Sequence, residues 1–270
     1  MPKFAANLSM LWNELPFLDR FGAAARAGFQ AVEFLFPYDF ATEEIAHRLR
    51  ENRLALVLHN MPPGDWAAGD RGTACIPGRE TEFRTGVAQA LDCAQALGVP
   101  QLHCMAGIAP AGVSEAQARA TLVANLRHAA QAAREHGIRV LLEPINTFDM
   151  PGFFVSRPAQ ALAILDEVGS DNLFLQYDLY HAWRMGDDLA RTLRTQLPRI
   201  AHMQLADSPG RHEPGTGDMD YRSLFDLIDE LGYGGCIGCE YRPRDAGAGG
   251  TDVGLAWVAA HGQALQGEHA

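Results

Sequence analysis

Residues 139–143 read RVLLE, a short apolar run that ends in a carboxylate, and further along the chain two more such runs end in a carboxylate and one ends in an amide. Runs of this length without helical periodicity predict buried parallel strands. Each run is closed by a side chain that carries oxygen: Glu143 after VLL, Asp178 after LFLQY, Gln204 after IAHM and Glu240 after CIGC. A buried carboxylate is costly unless it is paired, protonated or bound to a cation. Because the carboxyl ends of parallel strands meet at one end of a sheet, we expect the four side chains to converge.

Three carboxylates and one amide oxygen form a donor set that suits a hard divalent cation such as Mg²⁺ or Mn²⁺. A metal-free ionic cluster is the alternative, since a single buried glutamate is more often held by an arginine or by backbone N–H groups. Four oxygen donors in register are harder to explain as separate structural features. The sequence therefore predicts a metal site formed by Glu143, Asp178, Gln204 and Glu240.

Strand-like and helix-like segments alternate along the 270 residues. Strands are predicted at 4–9, 31–36, 54–60, 101–107, 139–145, 173–178, 200–207 and 236–241, and helices at 15–27, 42–51, 80–97, 114–136, 158–168, 187–196, 221–231 and 252–260. This α/β alternation has no linker or low-complexity break and predicts one (β/α)₈ TIM barrel over residues 1–270. An open doubly wound sheet is the alternative, but no GxGxxG follows the first strand.

Three long connections, at 61–79, 147–157 and 208–220, follow predicted strands 3, 5 and 7. They therefore lie on the carboxyl side of the strands, where barrel active sites are built. Disorder is the alternative explanation for such loops, but Trp66 and Phe153 are unusual side chains for a solvated linker.

Composition narrows the class of protein. The formal net charge of −11 disfavours nucleic acid or an anionic membrane as the main partner, because both require a basic surface. A small anionic substrate stays compatible with this charge. The first residues lack the apolar segment of a signal peptide, and no apolar run is long enough to span a bilayer. Five cysteines, an odd number, fit a reducing compartment, so we expect a cytoplasmic enzyme.

Four further side chains are candidates for binding a substrate: His59, His181, Arg211 and Arg71. His181 and Arg211 follow the strands that carry Asp178 and Gln204, and His59 lies at the end of the third strand. Arg71 lies in the glycine-flanked loop 61–79, which could close over the barrel mouth as a lid. Solvated arginines and core or helix-capping histidines are the alternatives to these roles.

Several long stretches of the chain carry a family resemblance: FAANLSMLW at 4–12, GFQAVEFLFPYDF at 28–40, LHNMPPGDWAAGDRGTACIPGRE at 58–80, LLEPINTFDMPGF at 141–153, QYDLYH at 176–181, HMQLAD at 202–207, RHEPGTGDMDY at 211–221 and GCEYRP at 238–243. By these stretches the chain resembles the hydroxypyruvate isomerase family of xylose-isomerase-like barrels over nearly its whole length. The resemblance implies an enzyme that interconverts hydroxypyruvate and 2-hydroxy-3-oxopropanoate (tartronate semialdehyde). It also implies that Glu143 and Glu240 form the catalytic acid/base pair, and that the four strand-end residues hold a divalent metal.

Gln204 departs from the wider sugar-epimerase relatives, which tend to carry histidine at this position. An amide oxygen is a harder donor than imidazole, so the change favours Mg²⁺ over Zn²⁺.

The expected chemistry is the removal of a proton next to a carbonyl and its delivery to the neighbouring carbon through an enediolate. Isomerisation of a four-carbon 2-oxo-tetronate and 3-epimerisation of a ketose are alternatives with the same proton chemistry. A metal-dependent nuclease would need a basic groove and several histidines, and a sugar-binding module would not need two opposed glutamates. We expect a small hydroxy-oxo acid as the partner, with a homo-oligomer open as an alternative to a monomer.

Overall fold

Eight parallel strands close into a barrel in chain order, and β8 pairs with β1. The computed structural model describes residues 1–265, so the last five residues of the predicted domain lie outside the described part. The strands are β1 (Lys3–Asn7), β2 (Ala31–Phe34), β3 (Ala55–Asn60), β4 (Gln101–His103), β5 (Arg139–Leu142), β6 (Leu173–Asp178), β7 (Ile200–Leu205) and β8 (Cys236–Cys239). The (β/α)₈ barrel predicted from the sequence is confirmed.

The helices surround this barrel: α1 (Phe17–Ala27), α2 (Thr42–Asn52), α3 (Glu80–Leu97), α4 (Glu115–Arg134), α5 (Pro158–Val168), α6 (Leu179–Arg184), α7 (Leu189–Gln196), α8 (Tyr221–Glu230), α9 (Gly250–Gly254) and α10 (Ala256–Ala260). Capping residues in the sequence mark the ends of several helices. Ser114 and Gln117 form a capping box at the start of α4, and Gly28 ends α1 with a left-handed φ of 102°. Within the described residues, no helix is long and apolar enough to cross a bilayer.

The structure differs from the sequence prediction mainly at element ends. β4 stops at His103 and not at 107. Cys104 N–H still donates to Leu141 of β5, but the carbonyls of Ala106 and Gly107 accept hydrogen bonds from the loops that follow β3 and β5. The predicted last helix, 252–260, is divided into α9 and α10. The short helix α6 was not predicted, since six residues are too few to establish an apolar period.

The two-residue repeat of a strand explains which side chains reach the barrel interior. On β6, Gln176 and Asp178 lie two residues apart, and on β7, His202 and Gln204 do the same. The register pairs Gln176 with His202 and Asp178 with Gln204. Neighbouring strands therefore bring polar side chains to the same height at the carboxyl end of the barrel.

The loops that follow β3, β4 and β5 are joined by backbone hydrogen bonds. Cys75 N–H donates to the carbonyl of Ala106, and Phe154 N–H donates to that of Gly107. A Cβ atom at Gly72 would lie 2.4 Å from the Met105 carbonyl oxygen, and φ at this glycine is 106°. Glycine is required there because the two loops approach too closely for a side chain. Residues 61–79, for which we considered a mobile lid, are thus anchored to the next loop.

Candidate active site

Four buried residues meet at the carboxyl end of β5, β6 and β8. Glu143, Asp178, His181 and Glu240 each present one potential ligand atom, and these atoms lie within 4.8 Å of one another. All four side chains belong to buried residues, with Glu240 the most accessible at 7%. Three of the four strand-end residues predicted to hold a metal are therefore neighbours in space.

Two of these carboxylates have oxygens without a partner. Within residues 1–265, Glu143 Oε1 and Asp178 Oδ2 are buried and accept no hydrogen bond. Burial and the nearby Glu240 raise the pKa of Glu143 well above its usual value, and burial also raises the pKa of Asp178. Burial raises the pKa of Glu240 to about 8, although Arg211 opposes this shift. Such a cluster needs protons or a cation to offset its charge.

Arg211 is the cation of the cluster. Its Nη2 atom donates to Glu240 Oε2 at 3.0 Å, and its Nη1 atom lies 3.6 Å from Asp149 Oδ2. Burial alone would lower the pKa of this guanidinium, but Glu240 and the other carboxylates raise it overall. The backbone of Arg211 has φ of 55°, an unfavourable value for a residue with a side chain. Strain of this kind is found where the surrounding structure holds a functional side chain in place.

His181 lies in helix α6, and not in a loop as its sequence position suggested. Asp178 caps this helix, because its Oδ1 atom accepts the backbone N–H of His181 at 3.0 Å. The imidazole Nε2 atom lies 3.8 Å from Glu143 Oε1 and 3.8 Å from Asp178 Oδ2. Burial lowers the pKa of His181 well below its usual value, and the positive charge of Arg211 lowers it further. The ring is therefore neutral near pH 7.

Gln204 lines the same small cavity as Glu143 and Glu240, and its amide is already engaged. Its Nε2 atom donates to Glu33 Oε1 at 2.8 Å, and its Oε1 atom accepts from Gln176 Nε2 at 2.6 Å. A carbonyl oxygen has two lone pairs, so one stays available for a cation. Ligation by Gln204 stays a prediction.

Glu33 lines the same cavity and forms the centre of a hydrogen-bond network that includes Gln204. Its carboxylate accepts hydrogen bonds from Asn7 Nδ2 at 2.9 Å and from Gln204 Nε2, and it lies 2.6 Å from His202 Nε2. A Cβ atom at Gly238 would lie 2.3 Å from both of its oxygens. Glycine at this position of β8 therefore makes room for the carboxylate inside the barrel.

His59 and Arg71 are not brought to the cluster. Leu58 and Asn60 line the cavity, so the alternation of β3 turns His59 to the other face, beside Phe34. Arg71 stacks on Trp66, with 3.8 Å between its Cζ atom and the ring centroid, and it donates to two backbone carbonyls of its own loop. Their predicted roles in substrate binding gain no support from these positions.

Three residues near the cluster escaped the sequence analysis: His103, Asn146 and Asp149. His103 Nε2 lies 3.5 Å from Glu143 Oε2, and burial lowers the pKa of this histidine to about 3. Asn146 Nδ2 lies 2.6 Å from His181 Nδ1, and Asp149 contacts Arg211. His103 ends β4 in the structure, but the apolar residues Cys104, Met105 and Ala106 follow it in the sequence and conceal this end. Asn146 contacts a residue of α6 and Asp149 contacts Arg211 in the loop after β7, so these contacts leave no local pattern.

Glu33, Glu143 and Glu240 line a small cavity of about 10 Å³, together with Asn7, His103 and Gln176. A larger cavity of about 550 Å³ lies beside α3, against Pro62 and Phe83, and none of the clustered carboxylates lines it. The larger space has no convergent ionisable groups, so chemistry and not size identifies the site.

The donor set suits a divalent cation. Glu143, Asp178 and Glu240, when ionised, carry three negative charges against the single positive charge of Arg211. A dication would neutralise the remaining two, and the partnerless oxygens of Glu143 and Asp178 would gain a ligand. The residues present therefore fit the predicted metal.

Comparisons with known proteins agree with this fold. The chain is 51% identical over 258 residues to the hydroxypyruvate isomerase of Escherichia coli (strain K12), covering 96% of this chain and 98% of that protein. It is also 51% identical over 258 residues to the 2-oxo-tetronate isomerase of Cupriavidus necator, with the same coverage. A crystal structure from Brucella melitensis described as an AP endonuclease, family 2, superposes with a TM-score of 0.92 at 48% identity, covering 96% of this chain and 99% of that one. The sequence profile of the xylose isomerase-like TIM barrel family matches residues 21–261. The resemblance seen in the sequence is thus confirmed, and the chain belongs to the xylose isomerase-like TIM barrel family.

Proposed function

We propose that this chain is an isomerase that interconverts hydroxypyruvate and 2-hydroxy-3-oxopropanoate by proton transfer between adjacent carbons. One observation carries the proposal: two buried glutamates, Glu143 and Glu240, reach the same cavity from different strands of the barrel. The relationship to the E. coli hydroxypyruvate isomerase at 51% identity supports the choice of substrate.

The two glutamates would share the proton transfer. One carboxylate removes a proton from C3 of hydroxypyruvate, the carbon that carries the hydroxyl group, and leaves an enediolate. A proton is then delivered to C2, while the C3 hydroxyl loses its proton and the C2 oxygen gains one, so that C3 becomes the aldehyde carbon and C2 carries the hydroxyl group. Glu143 has two carboxylate oxygens, so one can bind the proposed metal while the other exchanges the proton, and no group within residues 1–265 donates a hydrogen bond to Oε1.

Without a metal, burial raises the pKa of Glu143 and of Glu240. A bound dication would lower both pKa values, because a nearby positive charge favours the ionised carboxylate. Each glutamate would then be ionised and able to accept a proton from the substrate.

Arg211 and His181 would bind the oxygens of the substrate. The guanidinium has several N–H donors, which suit a carboxylate, and its tie to Glu240 places them beside the reacting carbons. The His181 Nε2 atom lies 3.4 Å from Arg211 Nη2, so both groups can reach one bound molecule.

A divalent metal, Mg²⁺ or Mn²⁺, would be held by Glu143, Asp178 and Glu240, with Gln204 as the proposed fourth ligand. Such an ion supplies stabilisation of the negative charge that develops on the substrate oxygens. Burial keeps the ligand carboxylates away from water, which strengthens their attraction to a cation.

A substrate assay with and without metal tests this proposal. The purified chain should convert hydroxypyruvate, and removal of metal with EDTA should abolish turnover. Mg²⁺ or Mn²⁺ should restore it. Full activity in a preparation shown to be metal-free would contradict the metal requirement. Absence of activity with every cation tested would contradict the proposed isomerase activity.

Isomerisation of 2-oxo-tetronate is the second candidate, because the C. necator enzyme of that name is equally similar at 51% identity. This substrate has one more carbon and the same reacting groups. Comparison of kcat/KM for the two acids distinguishes them, and we expect the higher value for hydroxypyruvate.

A nuclease is less consistent with the site, although the B. melitensis structure carries that description. The candidate metal cluster found within residues 1–265 contains three carboxylates and a single histidine. The net charge of −11 would also repel a nucleic acid backbone. We further propose a cytoplasmic enzyme, since all five cysteines are free.

A further inference from the structure

Asn146 is a fully buried residue that fixes the hydrogen-bonding state of His181. It lies in the loop that follows β5, and its side chain contacts three partners. Its Oδ1 atom accepts the backbone N–H groups of Phe148 at 3.0 Å and Asp149 at 2.8 Å. The orientation of the amide is therefore determined, because the oxygen must face these two donors.

The amide nitrogen consequently faces the other way. Its two hydrogens are directed at Asp149 Oδ2, 3.2 Å away, and at His181 Nδ1, 2.6 Å away. An amide NH₂ group is only a donor, so His181 Nδ1 must be an acceptor and cannot carry a proton. The contact excludes the imidazolium form as well as the Nδ1–H tautomer, since either would place two donors 2.6 Å apart.

The proton of the neutral ring must then be on Nε2. This nitrogen faces the space between Glu143 Oε1 and Asp178 Oδ2, at 3.8 Å from each. A protonated nitrogen has no lone pair for a metal. His181 therefore lies within reach of the cluster without being able to serve as a ligand through Nε2.

We propose that Asn146 is a positioning residue that holds His181 as an Nε2–H donor aimed at a substrate oxygen and keeps its imidazole from binding the metal. This inference rests on the proposed isomerase function and extends it to a residue outside the cluster. Arg211 Nη2 also faces Nε2 as a donor, at 3.4 Å. A neutral imidazole accepts at one nitrogen only, and we assign the acceptor to Nδ1 because its contact with Asn146 is much shorter, at 2.6 Å. The Nε2–H group then needs an acceptor other than Arg211. An oxygen that gains negative charge during the reaction is such an acceptor.

Asn146→Asp is the direct test, because it keeps the shape of the side chain. One carboxylate oxygen can still accept the two backbone N–H groups, but the other now faces Nδ1 and requires a proton there. The His181 tautomer should reverse. Loss of the Nε2–H donor should lower kcat by about 100- to 1000-fold, the usual effect of removing one oxyanion donor. KM should change less than tenfold.

The tautomer is measured by ¹⁵N NMR of the full-length protein labelled at histidine, both metal-free and loaded with Mg²⁺. The His181 signals are assigned by their loss in His181→Asn. In the native protein we expect a pyridine-type shift for Nδ1 and a pyrrole-type shift for Nε2, and in Asn146→Asp the reverse. A native His181 protonated at Nδ1, or a variant that keeps the native tautomer, would overturn the proposal. The native spectrum is decisive even where the variant does not fold.

Gln95→Glu is the matched control. Gln95 Nε2 lies 2.8 Å from His136 Nδ1, the same amide-to-imidazole contact on the exposed surface. This variant should leave kcat and KM unchanged. Because the tautomer is read without substrate, failure of the isomerase assay and failure of the positioning role are separate results.

Discussion

Two buried glutamates on opposite sides of the barrel mouth differ in their surroundings. Glu33 on β2 is held by Asn7, Gln204 and His202, so both its oxygens have partners. Glu143, which follows β5, is equally buried but has an oxygen without any partner in the described chain. The same residue type at a strand end is thus structural on one side and available for chemistry on the other. Burial alone does not distinguish them, whereas the count of hydrogen-bond donors does.

The largest loss of activity should come from substitutions of the carboxylates that are available for chemistry. Glu143→Gln and Glu240→Gln should each lower kcat for hydroxypyruvate at least about 100-fold, the usual size of a general acid–base contribution. Steady-state kinetics measures the loss, and metal content must be determined for each variant because both residues are proposed ligands. Glu230→Gln is the control, since Glu230 makes a similar 3.0 Å contact with Arg194 on the surface. A folded Glu240→Gln enzyme with native kcat would exclude this residue from proton transfer.

Glu33 is held by three side chains, so Glu33→Gln should mainly lower the free energy of unfolding. The substitution replaces an acceptor by an NH₂ group and leaves at least one buried donor unpaired, which costs about 3 kcal/mol. Urea denaturation of the metal-free protein measures the change in free energy of unfolding. Glu43→Gln on the exposed face of α2 should have little effect. If Glu33→Gln keeps native stability but loses turnover, the contrast between the two glutamates is wrong.

Arg211→Ala should separate binding from chemistry. If the guanidinium binds the substrate carboxylate, KM for hydroxypyruvate should rise about 30-fold, since a charged hydrogen bond contributes about 2 kcal/mol. An uncharged analogue such as dihydroxyacetone should be affected little. Arg211→Lys should recover only part of the loss, because a point charge does not reproduce the planar fork.

Arg194→Ala serves as the matched control for this experiment, because the surface arginine pairs with Glu230 at the same distance as Arg211 with Glu240. Equal losses for charged and uncharged substrates would show that Arg211 holds the reacting oxygens or its own loop.

The smallest predicted effect is on stability and concerns His59 of β3, the strand that pairs with the one that carries Glu33. Burial lowers its pKa from 6.5 to about 4, so between these pH values the unfolded chain binds a proton that the folded chain does not. Stability should therefore fall as the pH decreases through this window, with a His59 contribution of about 2 kcal/mol by pH 4.5. Denaturation at pH 7 and pH 4.5 measures the difference. His59→Gln should reduce the acid loss, and the exposed His47 offers a control at which His47→Gln should not. An unchanged acid loss in His59→Gln would contradict the assignment.

The sequence by itself determined the barrel and most of its candidate site. Apolar runs closed by Glu143, Asp178 and Glu240 predicted strands whose ends meet, and they do meet. This works because a parallel strand buried on both faces needs a continuous apolar run, and the residue that breaks the run must lie at the open end. The signal is local, so it can be read without the fold.

Only the tertiary structure separated the candidates by role. His59 and Glu33 each follow a short apolar run in the sequence, as the site residues do. Strand alternation turns His59 away from the cavity, and three side chains are hydrogen-bonded to Glu33. Arg71 also appears suited to a substrate, yet Trp66 and its own loop hold it. The contact of Asn146 with His181 joins residues 35 positions apart. Hydrogen bonds between distant elements depend on distances and orientations that no local pattern encodes. For this reason only the tertiary structure decides which buried polar groups have hydrogen-bond partners and which do not.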